Sequence, residues 1–208
     1  DFEEFWRRAL AQGGWWDTEP RGSIPAPALQ TPAISALALD APRFGGEEKD
    51  FPFFFHVYES VSLRGGGPAN LPWLQELPDP MTTACWGSWV EINPDVARQM
   101  DIRDGDLIEV ESPNGKLLVP AYVFPAMRPD VVAMPLGQGH SSYGRYAQNR
   151  GANPLSILSP QTQDGTDGLA WSATRVRIRK TGERGRLFLF QRLTKELSSD
   201  GTTLAEES

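Results

Sequence analysis

The sequence predicts a mainly β protein with short peripheral helices and an extended N-terminal arm. Two observations carry that reading. From position 51 onward the apolar residues come in short alternating runs bounded by turn residues, the period of half-buried strands. The chain also holds 20 glycines and 18 prolines with no internal repeat, which suits many turns and an arm better than long helices.

Residues 1–14 (DFEEFWRRALAQGG) place Phe2, Phe5, Trp6, Ala9 and Leu10 on one helical stripe that Gly13-Gly14 stops. Residues 17–50 are proline-rich with scattered apolar side chains, and read as an arm lying over another surface. A structureless run of that length is uncommon inside a compact domain. Phe51 to Tyr58 (FPFFFHVY) reads as a buried strand, broken by Arg64-Gly65-Gly66-Gly67-Pro68. A short turn of helix holds Trp73, Leu74 and Leu77 and ends at Pro78-Asp79-Pro80. Thr83 to Ile92 reads as one strand. Asn93-Pro94-Asp95 starts a helix that ends near Met100: Asn caps, Pro takes the first helical position, and Asp suits the positive end of the dipole. Asp104-Gly105 turns the chain into a strand from Leu107 to Ser112, with Ile108 and Val110 on one face. Pro113-Asn114-Gly115 is a hairpin turn, and Lys116 to Phe124 returns. Val131 to Pro135 is a further strand, and Ala173 to Arg179 is the last. Residues 137–154 (GQGHSSYGRYAQNRGANP) show neither period and read as a long loop. The tail from 183 to 208 is polar, acidic at its end, and expected to be partly disordered.

Composition excludes several classes. The net charge is −7 and no basic block interrupts it, so a nucleic-acid partner is not expected. A single cysteine, Cys85, rules out a disulfide framework, a Cys-ligated zinc and an iron–sulfur cluster built within this chain. No run approaches the roughly 20 apolar residues of a membrane span. The start at Asp1 and the acidic tail suggest a segment of something longer.

The stretch EINPDVARQMDIRDGDLIEVESPNGKLLVPAYVFPAMRPDVVAMPLG resembles the dinucleotide-binding domain that ends catalytic subunits of the dimethyl-sulfoxide-reductase family of molybdopterin oxidoreductases. The opening DFEEFWRRALAQGGWW is similar to the segment leading into that domain. The resemblance implies a double-psi β-barrel over 51–182, preceded at 1–50 by a lead-in helix and an arm packing on other domains. Its implied role is to grip a molybdopterin guanine dinucleotide carrying molybdenum or tungsten, held jointly with other domains. Metal ligands and iron–sulfur clusters would lie in those other domains, and the barrel alone would not be catalytic. ANLPWLQELPDP, and GQGH followed by YGRYAQNRGANP, resemble the large subunits of membrane-attached, quinone-linked complexes such as polysulfide-reductase relatives. That narrower likeness implies iron–sulfur and membrane-anchor subunits as partners and a membrane-associated, periplasmic location. After the first strand this chain has Tyr58-Glu59 where the family has Gly-Arg, which removes one phosphate partner. The alternative is therefore a cofactorless homologue acting as scaffold in a quinone oxidoreductase complex. An independent decarboxylase-like barrel enzyme is a third reading, opposed by the arm and by the lack of a catalytic constellation.

Two loops carry the candidate cofactor-binding residues. In the first, Ser60, Ser62, Arg64, Gly65, Gly66 and Asn70 could present hydroxyls, one guanidinium and close backbone N–H groups to a pyrophosphate, or simply form a solvated connector. In the second, His140, Ser141, Tyr143, Arg145, Arg150 and Asn153 could meet a ligand or another domain, or satisfy the loop's own backbone. The resemblance implies that Asn153 reads a guanine or pterin edge. Although far apart in sequence, the loops are expected to meet at one mouth of the barrel. His56 reads as a structural histidine, Trp86 and Trp89 as packing residues, and Cys85 as a small buried hydrophobe.

Overall fold

The computed structural model describes residues 1–16, 41–163 and 166–190. The expected arm at 17–40 and the tail beyond 190 lie outside the described residues. The chain divides into two compact units, 1–40 and 41–208.

In the first unit, α1 spans Phe2–Gln12. The Asp1 carboxylate caps it by accepting from the Glu3 N–H, and Gly13 closes it in the left-handed region at φ 78°. Its aromatic stripe stacks along the surface, with the Phe2 and Trp6 rings 6.2 Å apart.

The second unit is a closed six-stranded barrel. Its strands are β1 (Phe53–Tyr58), β3 (Val90–Ile92), β4 (Asp106–Ser112), β5 (Gly115–Val123), β6 (Val131–Pro135) and β7 (Thr174–Arg184), ordered β1-β6-β3-β5-β4-β7 around the wall. Antiparallel pairing of β7 with β1 closes it, which leaves the barrel no free edge. The pairs β1–β6 and β3–β5 are parallel and all others antiparallel. This is the double-psi β-barrel that the resemblance implied.

Strand periodicity made the wall legible. Along β4 every second residue is buried, which turns Ile108 and Val110 inward and Glu109 and Glu111 outward. Phe55, Ile92, Val119, Val132, Met134 and Val176 join them in the core. Fully burying one such side chain contributes about 1.5–3 kcal/mol. Helix α3 (Pro94–Gln99) sits where the Asn-Pro-Asp start put it: Asn93 Oδ1 accepts from the Asp95 and Val96 N–H groups, and Ala97 is buried in the core cluster.

Three boundaries differ from expectation. Residues 83–92 are not one strand. They split into β2 (Ala84–Cys85) and β3, because Trp86 takes a left-handed conformation at φ 59° and bends the chain out of the barrel wall. Outside the barrel, β2 pairs with β8 (Phe188–Leu189). The last strand runs to Arg184, past both 179 and 182, because Thr181 donates to Leu107 O and Arg184 pairs with Asp106 at 2.9 Å. Finally, residues 41–50, read with the arm, belong to the barrel unit. Gly45 exchanges backbone bonds with Ala173 O and Arg175 N, and the buried Arg175 guanidinium lies 4.2 Å from the Phe54 ring centre while bonding Glu48 and Phe51 O.

Candidate functional site: the mouth formed by two loops

Strands β1 and β6 run parallel side by side with Tyr58 opposite Pro135, so the segments that follow them leave at the same end of the barrel. The Leu136 N–H donates to Tyr58 O at the point of departure. Parallel pairing thus brings together loops separated in the chain by the 66 residues from 71 to 136.

The first loop is anchored by its own backbone. Arg64 N–H donates to Ser60 O, Leu63 N–H to Ser60 Oγ, and Ser60 and Ser62 hydroxyls lie 3.3 Å apart. Gly66 does not offer its N–H to a ligand as expected, because that group donates to Leu63 O. What requires glycine there is the other loop: a Cβ on Gly66 would lie 2.8 Å from His140 Nε2. Arg64 is exposed at φ 50°, and Gly65 is also exposed.

The second loop doubles back on itself, with Asn149 N–H donating to His140 O and Gln148 N–H to Gly144 O. It then grips the first. Tyr143 OH donates to Gly67 O at 2.8 Å, and Tyr146 N–H donates to Asn70 Oδ1 at 2.9 Å. The His140 and Tyr143 rings stack at 4.9 Å. Asn70 is therefore a bracket between loops, and Tyr143 a strap across them. The Arg150 guanidinium lies 4.6 Å from the Trp86 ring centre and that of Arg145 5.6 Å from Tyr146, while Ser141 is exposed. Asn153 caps the 3-10 turn Pro154–Ile157 by accepting from Leu155 N–H. Two buried polar atoms here, His140 Nε2 and Arg150 Nε, have no hydrogen-bond partner among the described residues. In folded proteins such atoms are rare, and a water, an ion or a ligand group commonly completes them. Arg64, Trp86 and Asn149, all at this mouth, have positive φ without being glycine, the kind of backbone strain that collects at functional sites.

Residues that sequence reasoning passed over build the floor. Gln75, on α2 (Pro72–Glu76), and Gln138 exchange side-chain hydrogen bonds at 2.7 and 3.3 Å. Ser88 Oγ accepts from Ala152 N–H and donates to Ala152 O. Polar residues inside a short apolar segment give no local signal of such pairing. Beneath the mouth the Tyr58 hydroxyl donates to Glu91 Oε1 at 2.5 Å and Trp89 Nε1 donates to the same oxygen at 3.1 Å. Burial holds the Glu91 carboxyl above the usual range, and burial with Glu91 pushes the Tyr58 phenol up. Tyr58, standing where the resemblance expects glycine, is thus committed to Glu91. His56, read as a structural histidine, is exposed on β1 and bonds Ser172 Oγ at 3.1 Å. Cys85 is only half-buried, in contrast to the buried hydrophobe expected, because β2 lies outside the barrel. Among the described residues no group of three or more His, Cys, Asp or Glu could hold a metal, and no helix is long and apolar enough to cross a membrane.

Comparison with known proteins bears on the fold and on the family likeness. The family model described as Molydopterin dinucleotide binding domain matches residues 76–169. The menaquinone reductase, molybdopterin-binding-like subunit of Nitratidesulfovibrio vulgaris is 32% identical over 92 residues, 44% of this chain and 13% of that protein. The arsenate respiratory reductase molybdopterin-containing subunit ArrA of Shewanella sp. strain ANA-3 is 37% identical over 106 residues, 50% of this chain and 12% of that protein. The match thus spans only a small part of either relative's length. Acetylene hydratase from Pelobacter acetylenicus shares the fold, with TM-score 0.51 at 15% identity over 68% of this chain and 21% of that one. The chain therefore has a double-psi β-barrel fold, and its residues 76–169 match the model of a molybdopterin dinucleotide-binding domain.

Proposed function

We propose that the mouth between residues 58–70 and 137–154 grips the nucleotide half of a molybdopterin guanine dinucleotide within a larger oxidoreductase subunit. The observation that carries this reading is the pair of buried, unpartnered atoms, His140 Nε2 and Arg150 Nε, on a loop closed against a second polar loop. Such atoms are costly to bury without a partner, and polar groups of the dinucleotide would complete both. Arg64, Arg145 and Arg150 supply charge for the phosphates, and the Ser60, Ser62 and Ser141 hydroxyls supply directional bonds. Asn153 spends its Oδ1 on Leu155, so its Nδ2 is the half of the amide left to read a base edge. When bound, the cofactor supplies redox chemistry at its metal, molybdenum or tungsten. The residues of this chain bind and orient it, while the metal ligand and any iron–sulfur clusters come from elsewhere. In the same reading the barrel packs on other domains of its subunit, in a membrane-attached complex with iron–sulfur and anchor subunits on the periplasmic side.

A second reading, a cofactorless scaffold in such a complex, is favoured by the bonds Tyr143–Gly67 and Tyr146–Asn70, which satisfy loop groups by one another. Titration with GDP, the nucleotide half of the cofactor, separates the two. Saturable amide shifts confined to 58–70 and 137–154, and lost in Arg150→Ala, support gripping. No shifts up to millimolar GDP would overturn it in favour of the scaffold.

A further inference from the structure

Three segments build the mouth: the first loop, the second loop, and the bend that carries Trp86. All three meet at one residue, Gln75: the two loops at its side chain and the bend at its backbone carbonyl. Gln75 is 1% exposed. Its Nε2 donates to Ala69 O at 2.7 Å, one residue before the bracket Asn70, and to Gln138 Oε1 at 3.3 Å. Its Oε1 accepts from Gln138 Nε2 at 2.7 Å, two residues before His140. Its backbone carbonyl accepts from the N–H of Trp86, whose ring faces the Arg150 guanidinium.

From this we infer that Gln75 is the positioning residue of the mouth, a buried amide hub whose reciprocal pairing with Gln138 sets the spacing of both loops and of the Trp86–Arg150 shelf. The inference rests on the dinucleotide-gripping reading only for its functional consequence.

The chemistry explains why an amide is needed. A primary amide carries two N–H donors and an acceptor at one end, and here both donors and the acceptor are used. A carboxylate would turn the donor side into an acceptor facing Ala69 O and Gln138 Oε1. A leucine would fill the space but orient nothing. Packing alone does not call for the pair, because replacing both partners of a buried hydrogen bond with apolar groups of similar shape is nearly neutral for stability. What apolar replacement loses is direction, since two amides facing each other fix rotation as well as distance. The side-chain bonds of the pair run to Ala69 O and to each other, within the loops that build the mouth.

The test is amide hydrogen exchange on the full chain carrying Gln75→Leu, Gln138→Leu or both, with thermal unfolding and GDP titration alongside. Each single variant should unfold at lower temperature, because one amide is left buried without its partner. The double variant should recover the unfolding midpoint, yet the amide of Tyr146 should still exchange at least tenfold faster than in the parent, and GDP should bind at least tenfold more weakly. Recovery of loop protection and GDP affinity together with the midpoint would overturn the inference and leave the pair as packing. Should the double variant not fold, Gln75→Glu, which keeps the shape, carries the test. Faster exchange at Tyr146 with Ile108 and Val110 unchanged supports positioning, and uniform acceleration across the barrel overturns it. Exchange is read without ligand, so a parent chain that never binds GDP would sink the gripping reading and leave this one standing.

Discussion

Gly144→Ala gives a direct measure of how firmly the second loop is docked on the first. Gly144 sits at φ +79°, and a Cβ there would come 2.5 Å from Asn70 Oδ1. Holding an L-residue in the left-handed region costs about 1–2 kcal/mol. The added methyl also drives the Asn70 amide away, and with it goes the bond from Tyr146 N–H, worth about 1 kcal/mol net. Together these come to about 2–3 kcal/mol of docking free energy, a factor of about 30 to 150 in the closed-to-open ratio at 1.4 kcal/mol per decade. The penalty is local, because both residues are exposed on the loops. Hydrogen exchange reads it: the Tyr146 amide should speed up by that factor while the Val110 amide, deep in β4, stays unchanged. Asn70→Ala alone should cost only the hydrogen bond, roughly a fivefold effect. If Tyr146 exchanges no faster in Gly144→Ala, the loops are not held by this contact. If Val110 accelerates equally, the loop is part of the cooperative core and the reasoning fails.

Asn93→Ala removes a helix cap and the donor to Met127 O, and should lower global stability by about 2 kcal/mol, seen as a lower urea midpoint with an unchanged m-value. Glu91 has a folded-state pKa raised by burial, so its contribution is fully present below the ordinary glutamate value of 4.5 and is lost as pH rises through the folded value. Glu91→Gln should therefore gain stability over the parent as pH rises above that range, and a gap in unfolding midpoint that is flat with pH would contradict the burial of a protonated carboxyl. Arg150→Ala and Arg145→Ala should each weaken GDP about ten- to a hundredfold, the usual worth of one charge-assisted contact, without shifting the unfolding midpoint by more than about a degree or two. Asn153→Ala should weaken GDP as well but also loosen the 3-10 turn that it caps, visible as faster exchange at Leu155.

Much of the barrel could be read from the sequence because the signals involved are local. A strand with one face in a core must alternate, and β4 does so without interruption, so its bounds were placed to within a residue. The Asn93 cap and the Asn114-Gly115 hairpin act on backbone groups two or three residues away, and those contacts follow from residue type alone. Glycine and polar residues concentrated at 58–70 and 137–154 marked where the mouth would form. What those residues do there was decided by tertiary structure. Parallel pairing of β1 with β6 made the two loops neighbours, and the neighbour then set the roles: Gly66 is small for His140, Asn70 accepts from Tyr146, and Tyr143 straps Gly67. The break in 83–92 arises the same way, since Trp86 bends out where Arg150 meets its ring and β2 finds its partner a hundred residues on in β8. Gln75 is the extreme case. Its own residue type does not distinguish a solvated polar side chain from a buried hub, because its amide partner Gln138 lies 63 residues on and becomes a neighbour through the tertiary fold.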